Sequence, residues 1–215
     1  MVEFIVEHWL DIVTTVLGLA YILLEYRASI WMWAVGFAMQ ALGIVLYYQK
    51  GLYADCGMEF YYLAMTVYGY FRWISSPKLG EARRGLHSTE EHLPPEGRKN
   101  ESLAIRHFPK RLVLPWAILI GAVWALIYWL LITFTNSNVP VADSFTTALS
   151  IVGIWALAHK YLEQWFIWIA VDVVTSILYF YKDIPFKASL YALYVIIAIM
   201  GWFKWRRMMK QEYQD

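Results

Sequence analysis

The sequence predicts an all-α polytopic membrane protein with seven transmembrane helices in a 3+1+3 arrangement. The first observation is composition: 60% of the 215 residues are hydrophobic and 16% are charged, which is unusually apolar for a soluble domain. The second is a series of seven apolar segments, each near the ~20 residues that a bilayer-spanning helix needs. The third is an internal repeat that relates the first three segments to the last three.

The seven predicted helices follow one another with short connections, except for one long polar stretch from Ser75 to Lys110 that we predict to be solvated. Their predicted bounds are Trp9–Tyr26, Ile30–Tyr48, Gly57–Ile74, Leu112–Phe134, Ser144–Ala158, Leu162–Tyr181 and Pro185–Trp205. The predicted organisation is a first repeat (1–74), a cytoplasmic polar connection (75–110), a central linker helix (111–135), a second repeat (136–206) and a cytoplasmic tail (207–215).

The distribution of Lys and Arg predicts the orientation in the inner (plasma) membrane. Basic residues are concentrated in the Ser75–Arg111 connection and in the tail that follows Trp205, whereas Thr135–Ser144 has none. Cytoplasmic loops carry the excess of positive charge, so we expect the N-terminus outside and the C-terminus in the cytoplasm. The first ten residues contain Glu3 and Glu7 but no Lys or Arg, unlike a cleaved signal peptide.

The internal repeat has a constant offset of 132 residues, as 143 minus 11 shows for Asp143 and Asp11. Further identical pairs in the same register are Trp33 with Trp165, Tyr47 with Tyr179, Lys50 with Lys182, Tyr62 with Tyr194, Gly69 with Gly201 and Trp73 with Trp205. Shared hydrophobicity alone would not align Asp, Trp, Lys and Gly without a gap. We therefore predict a duplicated three-helix unit.

The fourth helix has a topological role in this interpretation. Three spans plus one return the chain to its starting side, so the second unit has the same orientation as the first. Parallel repeats of this kind frame the substrate path of some transporters.

The candidate site is centred on the sixth predicted helix, in the stretch EQWFIWIAVDVVTSILYFYKDIPFK (Glu163–Lys187). Trp165 and Trp168 precede Asp172 by seven and four residues, which places the three side chains on one helix face. An ionisable group at membrane depth is costly and normally faces a bundle interior or a water-filled cavity.

The repeat supplies a partner face for this site. Asp172 corresponds to Gln40, which follows Trp33 by seven residues and precedes Tyr47 by seven. If the two faces meet across the pseudo-two-fold axis, they enclose a cavity suited to a flat, cationic, hydroxyl-bearing ligand, because a cation gains roughly 0.5–2 kcal/mol over an aromatic face. The alternative is that Asp172 and Gln40 only join neighbouring helices through hydrogen bonds.

Two further tyrosines are candidate site residues, although they could instead have a packing role. Tyr62 and Tyr194 lie within the third and seventh predicted helices, where they line the path or pack between helices. Gly69 and Gly201 are predicted to allow close helix approach.

Several function classes lack their sequence motifs. The chain has no GxxxxGK[ST], HExxH or GxSxG motif, and its net charge of +1 suggests no nucleic-acid partner. His87, His92 and His107 lack metal-ligand spacing, and the single Cys56 excludes an internal disulfide. We expect no enzyme activity, cofactor or metal.

Two stretches resemble the PnuC family of vitamin transporters: GLYADCGMEFYYLAMTVYGYFRW (Gly51–Trp73) and the continuous segment Glu163–Trp205. The resemblance implies a doubled three-helix unit with a central helix, similar to SWEET sugar transporters, and a homotrimer. It implies facilitated diffusion of nicotinamide riboside followed by intracellular phosphorylation, with thiamine or riboflavin carried by relatives. It also implicates Trp165, Trp168 and Asp172 in binding, together with the equivalent face of Trp33, Gln40 and Tyr47.

The carboxylate of Asp172 leaves the vitamin open. An amide at this position would fit the nicotinamide carboxamide equally well, and thiamine is also a permanent cation with an aminopyrimidine that a carboxylate recognises. Nicotinamide riboside is the first hypothesis and thiamine the second. A seven-helix receptor and an intramembrane enzyme are competing classes, which the duplication disfavours.

Overall fold

The structure, a computed structural model, describes residues 2–49, 53–75, 103–135 and 139–212, and these residues form an all-helical fold. A short 3-10 turn at Lys110–Leu112 precedes the fourth of its seven α-helices. The helices are α1 (Val2–Tyr26), α2 (Trp31–Gln49), α3 (Tyr53–Ser75), α4 (Val113–Phe134), α5 (Pro140–Ala158), α6 (Gln164–Tyr181) and α7 (Pro185–Glu212).

Each predicted segment corresponds to one observed helix, but several helices are longer than predicted. α1 begins at Val2 rather than Trp9, and α7 continues to Glu212 rather than ending at Trp205. Apolarity marks the part of a helix that crosses a membrane, whereas backbone hydrogen bonding continues into polar flanks. Both α5 and α7 begin with a proline, which suits the first turn because the missing N–H has no helical partner there.

Five of the described helices are long and apolar enough to cross a membrane: α2, α4, α5, α6 and α7. α4 is the most apolar, with a mean hydropathy of 2.3, and none of its residues is buried, although one side of it packs on α5 through Trp116, which stacks on Trp155 at 4.1 Å. α3 carries Asp55, Glu59 and Arg72, and the described part of α1 contains the shorter apolar stretch Thr15–Tyr26. A count of seven spans therefore remains a prediction.

The helices pack mainly as sequential neighbours, with two connections between the halves of the chain. α2 packs on α3, and α6 packs on α7. α1 contacts α7, and α3 contacts α5, so the last helix of each half lies against the first helix of the other half.

Two tryptophans 132 residues apart occupy equivalent packing positions. Trp33 is 1% exposed and packs against Gly69, and Trp165 is 0% exposed and packs against Gly201. A Cβ atom on Gly201 would lie 2.6 Å from the Trp165 ring. Both glycines therefore permit an indole to fill the space between adjacent helices.

Two hydrogen bonds between the halves also follow the 132-residue offset. The Trp73 indole Nε1 donates to the Leu157 carbonyl at 3.4 Å. The Trp205 indole Nε1 donates to the Glu25 carbonyl at 3.0 Å. Residues separated by this offset thus make matching contacts, although Lys50, one member of the predicted repeat, lies outside the described residues.

Two apolar residues near the end of the predicted solvated connection are buried. Leu103 is 8% exposed and Ile105 is 0% exposed, and the Ile105 N–H donates to the Glu212 carboxylate at 2.9 Å. Arg106 pairs with Tyr161 in an isolated parallel bridge. The prediction of solvation is wrong for this segment because two apolar side chains in its LAI sequence join the core. His87 and His92 lie outside the described residues.

Candidate functional site

A cavity of about 880 Å³ lies between α1, α6 and α7. Met39 of α2 and Ser150 of α5 complete its wall, which is otherwise formed by aliphatic, aromatic and charged side chains. A second hollow of about 610 Å³ lies between α2 and α3, and its lining is almost entirely apolar. The first cavity offers the chemistry for selective recognition, because a few polar groups stand in an apolar wall.

Four of the eight predicted site residues line this cavity: Trp165, Trp168, Asp172 and Tyr194. The first three lie on the N-terminal half of α6, as their helical spacing predicted, and Tyr194 lies on α7. Asp172 is 7% exposed, and the Trp168 indole Nε1 is buried without a hydrogen-bond partner. The carboxylate and the indole thus meet at one cavity wall.

Trp165 and Trp33 have mainly a packing role. Trp165 is fully buried, and its ring meets that of Trp205 edge to face at 5.6 Å. Trp33 makes the equivalent contact with Trp73 at 5.5 Å and lies at the α2–α3 hollow rather than at the larger cavity. The indole that presents the more accessible surface to the larger cavity is therefore Trp168.

The remaining predicted residues do not line the cavity. Gln40 is replaced there by its neighbour Met39, which points about 100° away around the helix. Tyr47 is close enough to Tyr191 to interact with it electrostatically. Tyr62 packs against the hydrophobic core, with its ring 5.6 Å from that of Tyr61. The expected meeting of Gln40 with Asp172 is absent from the described structure.

The cavity contains an aromatic cluster that the sequence interpretation did not identify. Tyr179 stacks on Tyr191 at 5.5 Å, and Tyr191 meets Tyr194 edge to face at 5.5 Å. The Lys187 ammonium group lies 5.4 Å from the centre of the Tyr179 ring. The three-residue spacing of Tyr191 and Tyr194 could have predicted part of this cluster, because residues three apart share a helix face.

Glu25 is the second acidic residue of the cavity wall, and it too was missed. Glu25 is 3% exposed and lies near the end of α1, one helical turn beyond Tyr21. Its position in the other half is Leu157, so the repeat gave no indication of it. The signal was the cost of a carboxylate at membrane depth.

The asymmetry of the two halves extends to the walls of the cavity. Trp168 corresponds to Gly36 in the first half, where a Cβ atom would lie 3.1 Å from the Tyr21 ring. The missing side chain leaves room for Tyr21, which lines the cavity from α1. One half therefore supplies an indole and the other a phenol.

This arrangement is suited to a flat, hydroxyl-bearing or cationic molecule. Aromatic faces stack on a ring and attract a cation, and the two carboxylates accept hydrogen bonds. No group of three potential metal ligands occurs among the described residues.

Comparison with known proteins matches the nicotinamide mononucleotide transporter family over residues 8–207. The riboflavin/roseoflavin transporter RibM of Streptomyces davaonensis is 25% identical, over 92% of this chain and 84% of its own length. The nicotinamide riboside transporter PnuC of Escherichia coli is 21% identical over the same shares, and that of Neisseria mucosa is 24% identical over 95% and 74%.

A crystal structure of the vitamin B3 transporter PnuC has a similar fold. The TM-score is 0.71 at 21% sequence identity, and the match covers 98% of this chain and 86% of that structure. The expected fold resemblance is thereby confirmed.

Proposed function

The chain belongs to the nicotinamide mononucleotide transporter family and is a multi-pass membrane protein, and from this premise we propose that it carries nicotinamide riboside across the membrane by facilitated diffusion. The observation that carries the proposal is the cavity in which Trp168 and Asp172 face Tyr191 and Tyr194. A pyridinium ring has a flat face for the indole and a positive charge for the carboxylate.

The transport path in this proposal runs between the two halves of the chain. The matching contacts at the 132-residue offset support a duplicated unit in a 3+1+3 arrangement, and the rocking of one repeat against the other would expose the cavity to each side in turn. The family resemblance supports a further part of the proposal, that an intracellular kinase traps the vitamin by phosphorylation.

The proposed assembly is a homotrimer with the N-terminus outside and the C-terminus in the cytoplasm. The family resemblance supports the oligomeric state, and the basic residues of the connection and the tail support the orientation. Family membership favours transport over the alternatives of a seven-helix receptor and an intramembrane enzyme.

Riboflavin is the second candidate substrate, because RibM is a relative over most of the chain. Riboflavin and nicotinamide riboside share a flat nitrogen heterocycle joined to a hydroxylated five-carbon unit. Thiamine retains the chemical argument that Asp172 suits a cationic ring with an amino group.

The test is a titration of the purified protein followed by tryptophan fluorescence, with nicotinamide riboside, riboflavin and thiamine as separate ligands. Trp168→Ala and Asp172→Ala should each raise the Kd of nicotinamide riboside about tenfold, since about 1.4 kcal/mol of lost interaction corresponds to that factor. Trp129→Ala, on the exposed surface of α4, is the matched control and should leave the Kd unchanged.

Uptake into proteoliposomes should be saturable without ATP or an ion gradient. An unchanged Kd in both cavity variants would remove the site assignment. Tighter binding of riboflavin or thiamine than of nicotinamide riboside would replace the proposed substrate.

A further inference from the structure

At one end of the cavity the wall residue Glu25 lies beside a second buried polar side chain, that of Gln164, which does not itself line the cavity. Glu25 is the second-to-last residue of α1, and Gln164 is the first residue of α6. They are 3% and 0% exposed. The hydrogen bond from the Trp205 indole to the Glu25 carbonyl holds this turn of α1 against α7, so the position of the carboxylate is determined by packing.

The pair has unused hydrogen-bonding capacity among the described residues. The Glu25 Oε1 atom and both amide atoms of Gln164 are buried without a hydrogen-bond partner. Gln164 lies close enough to the Glu25 carboxylate to act on it as a hydrogen-bond donor, but the distance and angles do not complete the bond. Because an unpaired buried polar group costs free energy, native structures rarely leave one without a ligand or water.

The pair lies at a useful distance from Asp172. Gln164 and Asp172 are eight residues apart on α6, which corresponds to about 12 Å along the helix axis at 1.5 Å per residue. Trp168 lies midway between them. A ligand whose ring stacks beside Trp168 would therefore place its two ends towards the two polar positions.

We propose that Glu25, oriented by its neighbour Gln164, forms a subsite for the vicinal hydroxyl groups of a ribose or ribityl unit. This inference rests on the function proposed above. The carboxylate accepts hydrogen bonds from two hydroxyls, as acidic residues do with ribose in dinucleotide-binding folds, and the Gln164 amide, which can donate to the carboxylate, orients it. The heterocycle then lies beside Trp168, with its other edge towards Asp172.

A simpler role for Glu25 would be a second negative charge that attracts any cation. A charge role predicts that Glu25 contributes to the binding of a cation without hydroxyls. A hydroxyl-binding role predicts that Glu25 contributes to the binding of a neutral ligand that has hydroxyls. These differences determine the choice of ligands.

The experiment measures Kd for two ligand pairs on the purified full chain. Nicotinamide riboside is compared with 1-methylnicotinamide, a cation that lacks the ribose, and riboflavin with lumiflavin, which lacks the ribityl chain. Glu25→Gln is the first variant, and Gln164→Met, of similar volume, is the second. Asp183→Asn, at an exposed loop position, is the control for removal of a negative charge.

We expect Glu25→Gln to weaken binding of nicotinamide riboside, and of riboflavin if it binds, by five- to tenfold, because charge-assisted hydrogen bonds are about twice as strong as neutral ones. The Kd of the ligands without hydroxyls should change less than twofold. Gln164→Met should show the same pattern of Kd changes. Asp183→Asn should leave the Kd of both ligands of each pair unchanged.

Equal losses for both members of a pair would overturn the hydroxyl subsite and assign Glu25 a charge role. Unchanged binding in both variants would overturn it as well. If the wild-type protein binds the truncated ligands as tightly as the complete ones, the subsite fails while the proposed function stands. If it binds no ligand of either pair, the proposed function fails with it.

Discussion

Gly201 and Gly69 determine how closely α7 and α3 approach the indoles of α6 and α2. At Gly201 even a methyl group would lie 2.6 Å from the Trp165 ring, and the ring is confined further by Trp205 at 5.6 Å. Trp165 is a large buried side chain and cannot withdraw without shifting the helix that bears Trp168 and Asp172.

Gly201→Ala is therefore predicted to lower stability by about 1–3 kcal/mol, the usual cost of overpacking a core. Gly121→Ala on α4 is the matched control, because a Cβ atom there has no neighbour within 4 Å. Thermal unfolding of the two purified variants in the same detergent measures the difference. Equal melting temperatures would contradict the role assigned to the glycine.

The segment from Leu103 to Pro109 and the α5–α6 loop form a polar and aromatic cluster at one end of the helices. The Phe108 N–H donates to the Glu163 carboxylate at 2.7 Å, and the Lys160 ammonium lies 4.2 Å from the centre of the Trp73 ring. Burial lowers the pKa of Lys160 to about 8. The same loop carries His159, whose ring is parallel to that of Tyr161 at 5.7 Å.

His159 makes this cluster sensitive to acid. Burial, with a smaller contribution from Arg72 and Arg106, lowers the pKa of His159 from 6.5 to about 4. The unfolded chain therefore binds a proton at higher pH than the folded protein does. The stability associated with neutral His159 is complete above pH 6.5 and is lost as the pH falls from there towards 4.

The melting temperature should accordingly fall between pH 6.5 and 4.5, and His159→Phe should remove part of that fall while retaining a stacked ring. Tyr68→Phe, which removes only the hydroxyl 3.4 Å from the His159 Nε2 atom, is the control and should keep the wild-type slope. The same slope in His159→Phe would exclude His159 as the titrating group.

In the whole molecule, most helices pack against their neighbours in sequence, and two pairs of helices join the two halves. α1 packs against α7, and α3 packs against α5. The cavity is lined by side chains from both halves of the chain. The proposed orientation places the basic C-terminal end of α7 in the cytoplasm.

A C-terminal fusion to green fluorescent protein should therefore be fluorescent in a bacterial host, and a C-terminal fusion to alkaline phosphatase should be inactive, because the phosphatase needs the periplasm. A phosphatase fusion after Thr135, at the end of α4, is the opposite control and should be active. The reverse pattern would invert the topology.

The sequence by itself determined the helical class, the approximate position of each helix and the family resemblance. Apolar length and the spacing of Trp165, Trp168 and Asp172 are local properties, so they could be predicted without knowing what each helix faces. Composition did not predict that Leu103 and Ile105, near the end of the polar Ser75–Lys110 connection, are buried.

Only the tertiary structure decided which faces meet. It brings Glu25 of α1 into one cavity with Asp172 of α6, and it places Met39 there rather than Gln40. Helix rotation depends on packing against neighbours distant in sequence, and a shift of one residue turns a side chain by about 100°. The two halves also differ at Trp168 and Gly36, so the repeat could not predict a cavity built from unlike walls.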